Sequence, residues 1–437
     1  MKKKTILFVA LGLLSAAVCF SGGQQGGEVG APVTLSVTHN WWGGDAHAPW
    51  TDWVFNEDFP AKYPNIKLEV NQLTSAVFRQ KIRANFLAEA PTDINIFPGG
   101  AETEQFVAAG YLADTTEIMK AYKDEYIQDP ALVGFTIGGK LYGQPLCINF
   151  FSFNVNRDIW NKYGFKIPEV AYKIDEFNAM LKKLKAGGLI PITLPGKGHN
   201  VGGIFSSYIF NQTTKNYAIE KAAYGIDNVK FTDPGFIKGA EIIRQWHDMG
   251  FYDPNIEGTD MAQSEVLFME GNSAVNFNAI WRMGAFPKEI RDKMEPIRMP
   301  EVPGFTEDPS IVTSQVECGW IYSKSSMENR KKVGAMKTFI DYMASLEVQQ
   351  KLIDLTDNAI PALKGVSLQN ASYGVKRMAQ MQKESVARPF NFYYVSPDQQ
   401  QKSIETSWNL ILGRKTPTEN MQILEAVPKN QRTYDFH

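Results

Sequence analysis

The chain has 437 residues, a formal net charge of −2, 44% apolar residues and 21% charged residues. This length exceeds what one ordinary hydrophobic core supports and predicts two or more lobes, and the composition is that of a soluble globular protein. The nearly balanced charge excludes the strongly basic surface of a nucleic-acid-binding protein, so no nucleic-acid partner is expected.

The N-terminus, residues 1–19, has the order of a bacterial export signal. A lysine triplet precedes an apolar run that ends at Val18 and is too short to span a bilayer. Cys19 follows, and residues 20–32 form a flexible Gly/Gln/Ser-rich linker. This junction resembles that of bacterial lipoproteins, in which such a cysteine is acylated, and conventional cleavage after Ala17 is the alternative. We expect an exported protein in the periplasm or on the outer face of the cytoplasmic membrane, held there by a lipid on Cys19.

Strand and helix patterns alternate in the first part of the mature chain. The β-α-β-α-β order predicts a mainly parallel sheet covered by helices, in which ligands bind beyond the carboxyl ends of the strands. The loops "HNWWGGDAH" and "FPGGAE" follow the first and third strands, so both are predicted to open on one rim. The predicted elements are strands at 33–39, 65–73 and 92–100 and helices at 50–64 and 75–90.

The second of these helices, 75–90, is predicted to bury Val77, Ile82, Phe86 and Leu87 on one face. Later segments continue the alternation with clear helix punctuation, such as an N-terminal Asp-Pro and a terminal glycine around residues 233–250. The later predicted strands are 139–156, 189–194, 274–281 and 318–324, and the later helices begin at 157, 174, 234, 329 and 346.

Sequence motifs for several kinds of chemistry are missing from the chain. It has neither a HExxH motif nor paired CxxC spacing, and no Walker A, GxGxxG or GxSxG sequence. A metal shared by His39 and His47 lacks a second ligand pair, and nothing in the spacing selects one carboxylate pair for glycoside hydrolysis. We therefore predict no metal, no cofactor and no catalytic residues.

Aromatic and polar residues concentrate at the predicted strand ends. A pyranose has apolar C–H faces, on which an aromatic ring stacks, and hydroxyls, which amides and carboxylates bind. For any single tryptophan, packing in the core is the competing interpretation. The residues of this type are Trp41, Trp42, Asp45, Glu102, Asn278, Trp281 and Trp320.

Four segments together resemble the ABC-transporter extracellular solute-binding proteins of family 1, the maltose-binding-protein-like sugar-binding class. They are "RANFLAEAPTDINIFPGGAETEQFVAAGYLADTTEIM", "GGKLYGQPLCINFFSFNVNRDIWNKYGF", "FMEGNSAVNFNAIW" and "AMKTFIDYMASLEVQQKLIDLTDNAIPAL". The resemblance runs from about Val33 to the C-terminus, and the order and spacing of the segments carry it.

The resemblance implies an α/β fold of the type II periplasmic-binding-protein class, a two-lobed clamshell with mixed, mainly parallel sheets and three interlobe crossovers. The chain would cross between lobes near Gln144–Asn149, Glu317–Trp320 and Asn358–Ala362. The expected N-terminal lobe is 33–146 plus 319–359, and the expected C-terminal lobe is 150–316 plus 362–437.

The resemblance also implies where the solute binds. It selects the first-strand loop with Trp41, Trp42 and Asp45, the third-strand loop with Gly100 and Glu102, and the "FNAIW" segment with Asn278 and Trp281. Further expected contacts are Asn149 and Phe151 on the hinge strand and Phe205 in the segment "HNVGGIF". The implied partners are a carbohydrate and the transmembrane subunits of an ABC permease, with the protein acting as a monomer.

Two alternatives stay open at this point. The same fold could bind another solute: a polyamine, through acids and aromatic rings, a metal, or a phosphoester, although the rim segments are poor in lysine and arginine. The second alternative is a secreted glycosidase. The sequence also leaves open whether Cys147 and Cys318 form a disulfide or are buried free thiols.

Overall fold

The computed structural model describes residues 32–41, 45–127, 131–197, 200–391 and 394–430. The predicted export signal, Cys19 and all but the last residue of the predicted linker lie outside these ranges, so these features stay predictions. Within the described ranges, no helix combines the length and the apolar character needed to cross a membrane.

The strands include two long ones, β6 and β10, and several short ones. They are β1 (Val33–His39), β2 (Ile66–Gln72), β3 (Ile94–Phe97), β4 (Thr136–Ile137), β5 (Lys140–Leu141), β6 (Gln144–Asn156), β7 (Ile190–Thr193), β8 (Ser273–Ala279), β9 (Met294–Ile297), β10 (Val312–Tyr322), β11 (Ile360–Pro361) and β12 (Ala387–Arg388).

Helices cover the sheet in both halves of the chain. They are α1 (Ala48–Asp52), α2 (Phe59–Lys62), α3 (Ser75–Leu87), α4 (Ala101–Ala108), α5 (Thr116–Met119), α6 (Arg157–Lys162), α7 (Ile174–Ala186), α8 (Val201–Thr213), α9 (Ala218–Tyr224), α10 (Pro234–Asp248), α11 (Met261–Met269), α12 (Lys288–Arg291), α13 (Lys324–Glu328), α14 (Val333–Met343), α15 (Leu346–Thr356), α16 (Tyr373–Lys383), α17 (Pro397–Ile411) and α18 (Pro417–Glu425). A π-helical stretch, Trp53–Asp58, joins α1 to α2, and a 3-10 turn, Ile280–Ala285, follows β8.

Strand pairing among the described residues produces a large mixed sheet in the order β2-β1-β3-β10-β6-β8-β7, to which β9, β11 and β12 also pair, and a separate two-stranded sheet of β4 and β5. Parallel pairs join β1 to β2 and β3, and β7 to β8, as the β-α-β pattern predicts. Antiparallel pairs involve the long strands β6 and β10, which makes the antiparallel share larger than the sequence pattern suggests. This difference arises because β6 and β10 are antiparallel to each other and each also pairs antiparallel with a neighbouring strand, β8 for β6 and β3 for β10.

The three predicted crossover segments lie side by side. On β6, Cys147 pairs with Cys318 of β10 on one side and with Pro361 of β11 on the other. One end of β6 runs beside β10 near β3, and the other end pairs with β8 and β9. This is the arrangement expected of a hinge between two lobes, and the exact lobe boundaries stay a prediction.

The buried face of α3 differs from the prediction. Val77 and Leu87 are 48% and 74% exposed, whereas Phe78, Ile82 and Phe86 are buried. Phe78 packs on Phe97 of β3, and Phe86 packs on Phe106 of α4. The actual stripe therefore follows the spacing of the phenylalanines, which bury more apolar surface than valine.

Candidate functional site

The described residues of the loop after β1 are held together around a histidine, His47. The carboxylate Oδ1 of Asp45 accepts hydrogen bonds from the backbone N–H of His47, at 2.9 Å, and from its Nδ1, at 2.8 Å. The ring of His47 stacks on Trp41 with centroids 3.9 Å apart and planes within 7°. Asp45 is partly exposed, and the buried Nε2 of His47 has no protein partner among the described residues. Trp42 lies outside the described residues.

The segment after β8 presents a second group of polar side chains. Arg282, in the 3-10 turn, makes two hydrogen bonds to Glu265 of α11, from Nε to Oε1 at 2.6 Å and from Nη2 to Oε2 at 2.7 Å. Asn278 donates from Nδ2 to the same Oε1 at 3.3 Å. Trp281 is partly exposed, and the Arg282 guanidinium carbon lies 5.8 Å from its ring centroid. A flat ring and fixed hydrogen-bonding groups thus stand side by side.

These two groups of residues affect each other electrostatically. Burial alone would raise the pKa of the Asp45 carboxyl, but the hydrogen bonds from His47, with the charge of Arg282 added, hold it below its usual value. Burial opposes the charge on Arg282, yet its bonds to Glu265 raise its pKa, and Asp45 contributes to this rise. The charge of Asp45, predicted in one lobe, thus acts on Arg282, predicted in the other, although the two side chains form ion pairs with His47 and Glu265 rather than with each other.

The hinge contributes an acid, Glu317 of β10. Burial raises the pKa of its carboxyl to about 7, with Asp45 contributing, while His47 and a bond from Cys147 act in the opposite direction. The Sγ–H of Cys147 donates a hydrogen bond to the Oε2 of Glu317 at 3.6 Å. Among the described residues, no lysine or arginine forms an ion pair with Glu317. In its protonated form, a carboxylic acid on this predicted crossover strand can both donate and accept a hydrogen bond.

The predicted hinge contacts Asn149 and Phe151 are both buried. Asn149 uses its Oδ1 to accept from the backbone N–H of Phe150 at 2.9 Å. Phe151 packs against Phe277 and Phe390. In this conformation both side chains support the crossover strands.

The acid that follows β3, Glu102, lies in the first turn of α4 and is paired with arginines of α3. Glu102 is buried, and its Oε2 lies 3.2 Å from the Nε of Arg79 and 3.0 Å from the Nη2 of Arg83, both on α3. Gly100, with a φ of 85°, starts α4 and donates its N–H to the carbonyl of Gly134 at 2.8 Å. The charge of Glu102 is therefore compensated within its own lobe.

Besides Phe151, three aromatic residues of the predicted site lie in the hydrophobic core. Trp41 is covered by His47 and Trp50. Phe205 lies on α8 rather than in a loop and packs on the C-terminal aromatic cluster, and Trp320 is completely buried. We leave these three out of the proposed site because none of them offers a free ring face.

Four residues of the site were not predicted: His47 as a hydrogen-bonding partner, Glu265, Arg282 and Glu317. Arg282 directly follows the "FNAIW" segment, so an extension by one residue would have found it. Glu317 could have been noticed as an acid inside a strand whose other residues are nearly all buried. The sequence around Glu265 carries no comparable signal, because Glu265 reaches Arg282 only through the packing of α11 against β8.

The described residues contain no group of three or more His, Cys, Asp or Glu side chains that could hold a metal ion. His39 is buried beside Phe55, and burial lowers its pKa to about 4 despite the charge of Asp45. At neutral pH it is an uncharged ring in the core.

Cys147 and Cys318 are free thiols in the structure, with their Sγ atoms 4.0 Å apart. A hydrogen bond between the two thiols, together with burial, raises the pKa of Cys147, and burial raises the pKa of Cys318. Because the thiolate is the reactive form, we expect iodoacetamide to modify them only slowly in the native protein and quickly in concentrated guanidinium chloride. Mass spectrometry of protein carrying Cys19→Ser checks this. Fast native alkylation, or a mass lower by the two thiol hydrogens, would contradict it.

Comparison with known proteins gives a consistent result. The family described as bacterial extracellular solute-binding protein matches residues 44–350. A protein of Mesorhizobium japonicum named "Probable sugar-binding periplasmic protein" is 26% identical over 185 residues, 41% of this chain and 42% of that protein. The matches reach about half the length of the curated relatives.

Solved structures extend the likeness to nearly the whole chain. A chitin oligosaccharide binding protein is 25% identical, with a TM-score of 0.80, and the match covers 90% of this chain and 97% of that one. A solute-binding protein in complex with raffinose is 19% identical, with a TM-score of 0.72 over 90% of this chain and 98% of that one, and shows the fold alone. Together they confirm the predicted two-lobed α/β fold class.

Proposed function

This chain belongs to the bacterial extracellular solute-binding protein family, and we propose that it is the extracytoplasmic substrate-binding component of an ABC importer. It binds a mono- or oligosaccharide between its lobes, closes on it and delivers it to the transmembrane permease. Hinge closure would bury the sugar and select the form that docks on the permease. No catalytic step is required.

The observation that carries the proposal is the group formed by Trp281, Asn278 and Arg282 opposite Asp45. Trp281 is partly exposed, so it can stack on the apolar face of a pyranose, and the neighbouring polar groups are held in place to bond hydroxyls. The names of the Mesorhizobium relative and of the chitin oligosaccharide binding protein support the same class of solute.

The alternative solutes receive less support from the geometry. A polyamine needs uncompensated acids, yet Glu102 is paired with two arginines and Asp45 lies near Arg282. A phosphoester needs free cations, yet the fork of Arg282 is already bound to Glu265. A neutral polyol fits a site whose arginine and whose ionised acids already have protein partners.

Isothermal titration calorimetry tests the proposal directly. The mature protein is titrated with chito-, xylo- and malto-oligosaccharides and raffinose, and with putrescine and glucose 6-phosphate as the non-sugar arm. We expect at least one neutral sugar to bind with micromolar or tighter affinity. Binding confined to the non-sugar arm would overturn the sugar assignment, and turnover of nitrophenyl glycosides would favour a glycosidase.

A further inference from the structure

Arg282 is fixed in orientation from within its own lobe. Its two bonds to Glu265 use the guanidinium fork, and the Glu265 side chain is only 5% exposed, so the pair is shielded from water. Asn278 holds the same carboxylate from β8. Arg282 itself is 18% exposed. Glu265 uses the Nε and Nη2 donors, which leaves the donors of Nη1 for another partner.

The turn that carries Arg282 touches the loop that carries Asp45. A Cβ atom placed on Gly284 would lie 3.1 Å from the Cβ of Ala46 and 2.7 Å from the carbonyl oxygen of Thr356. The same Cβ would lie 3.4 Å from the Cβ of Asn358, so the backbone at Gly284 lies directly against Ala46, the end of α15 and the start of the predicted third crossover. Only a residue without a side chain allows this approach.

The charges across this contact alternate. Glu265 is negative, Arg282 positive and Asp45 negative, and the carboxylate of Asp45 is fixed in turn by His47. An exposed ion pair would be weak, but these groups are partly buried, where screening by water and salt is reduced. The residues predicted for one lobe therefore attract those predicted for the other.

We propose that Asp45 and Arg282, the latter positioned by Glu265, form an electrostatic latch that favours the closed arrangement of the lobes before any solute is bound. The latch raises the population of the binding-competent form, so it increases the apparent affinity beyond what any contact of these side chains with the solute contributes. This proposal rests on the proposed function in one respect: some solute must bind between the lobes, whatever its chemistry.

The test measures closure without solute. Spin labels at Leu87→Cys and Lys182→Cys, exposed positions predicted in different lobes, report the interlobe distance by pulsed electron paramagnetic resonance, with Cys19, Cys147 and Cys318 replaced by serine. We expect Arg282→Gln and Asp45→Asn each to lower the closed-to-open ratio about three- to tenfold, and the double variant to be little worse than either one. Added salt should open the parent protein and leave Arg282→Gln unchanged.

Arg244→Gln is the matched control, because Arg244 pairs with Asp248 on the surface of α10 and should leave closure unaltered. Asp45→Asn is a nearly isosteric change at a partly exposed residue. This variant therefore tests the latch even if Arg282→Gln folds poorly. An unchanged distance distribution in Asp45→Asn, or strictly additive effects, would overturn the latch. Closure that responds as expected in a protein that binds no sugar would instead refute only the sugar assignment.

Discussion

Replacing Glu317 with glutamine should stabilise the protein at pH 8 and have little effect at pH 4.5. The carboxyl lies on a crossover strand beside Cys147 and Cys318 and near Asp45 and His47, and burial raises its pKa from 4.5 to about 7. Ionising this group in the folded protein therefore costs free energy.

The sign of the effect follows from proton binding. Between pH 4.5 and about 7 the folded protein keeps the proton on Glu317, whereas the unfolded chain has lost it. Because the folded state binds more protons in this window, the free energy of unfolding falls as pH rises and becomes level above pH 7. The loss is on the order of 1–3 kcal/mol, and glutamine does not titrate, so Glu317→Gln avoids it.

Urea denaturation of both proteins at pH 4.5, 6 and 8 measures this difference. The stability advantage of Glu317→Gln should grow with pH through the window between 4.5 and 7. Glu57→Gln, at an exposed position, is the control and should show no such trend. A difference between Glu317→Gln and the parent that does not change with pH would show that the carboxyl ionises normally in the hinge.

The order of the elements could be predicted because their local patterns are strong. Alternation in 33–39 and 65–73 and the punctuation around 233–250 correspond to β1, β2 and α10. The sequence did not define α8, whose residues are almost all buried on every side and therefore show no apolar stripe. A helix buried all round has no periodicity from which it could be recognised.

The site was harder to predict than the fold, because residue type does not distinguish a ring in the core from a ring in a cleft. Trp281 follows the end of β8, and Trp320 lies within β10. Because β10 is buried on both faces, the alternation of apolar and polar residues does not show which way Trp320 faces. Likewise, Glu102 and Asp45 are both rim acids in the sequence. Only the position of α3 shows that arginines neutralise Glu102.

The two tryptophans should respond to truncation in opposite ways. Trp320 is completely buried against Phe55 and Phe339, with ring centroids 6.1 and 5.5 Å away. Trp320→Ala should therefore lower the free energy of unfolding by about 3–5 kcal/mol, because it leaves a cavity in the core. Solute affinity, measured at a temperature where the variant is folded, should stay close to that of the parent.

Trp281→Ala should instead weaken sugar binding by about 1–3 kcal/mol, because a stacking ring on the solute is lost. Its stability should change little, since the ring is only partly buried. Urea denaturation and calorimetry on both variants, each serving as control for the other, separate the two effects. Full affinity in Trp281→Ala would remove this ring from the binding site, and lost affinity in a stable Trp320→Ala would show that the lobes rearrange on binding to expose Trp320.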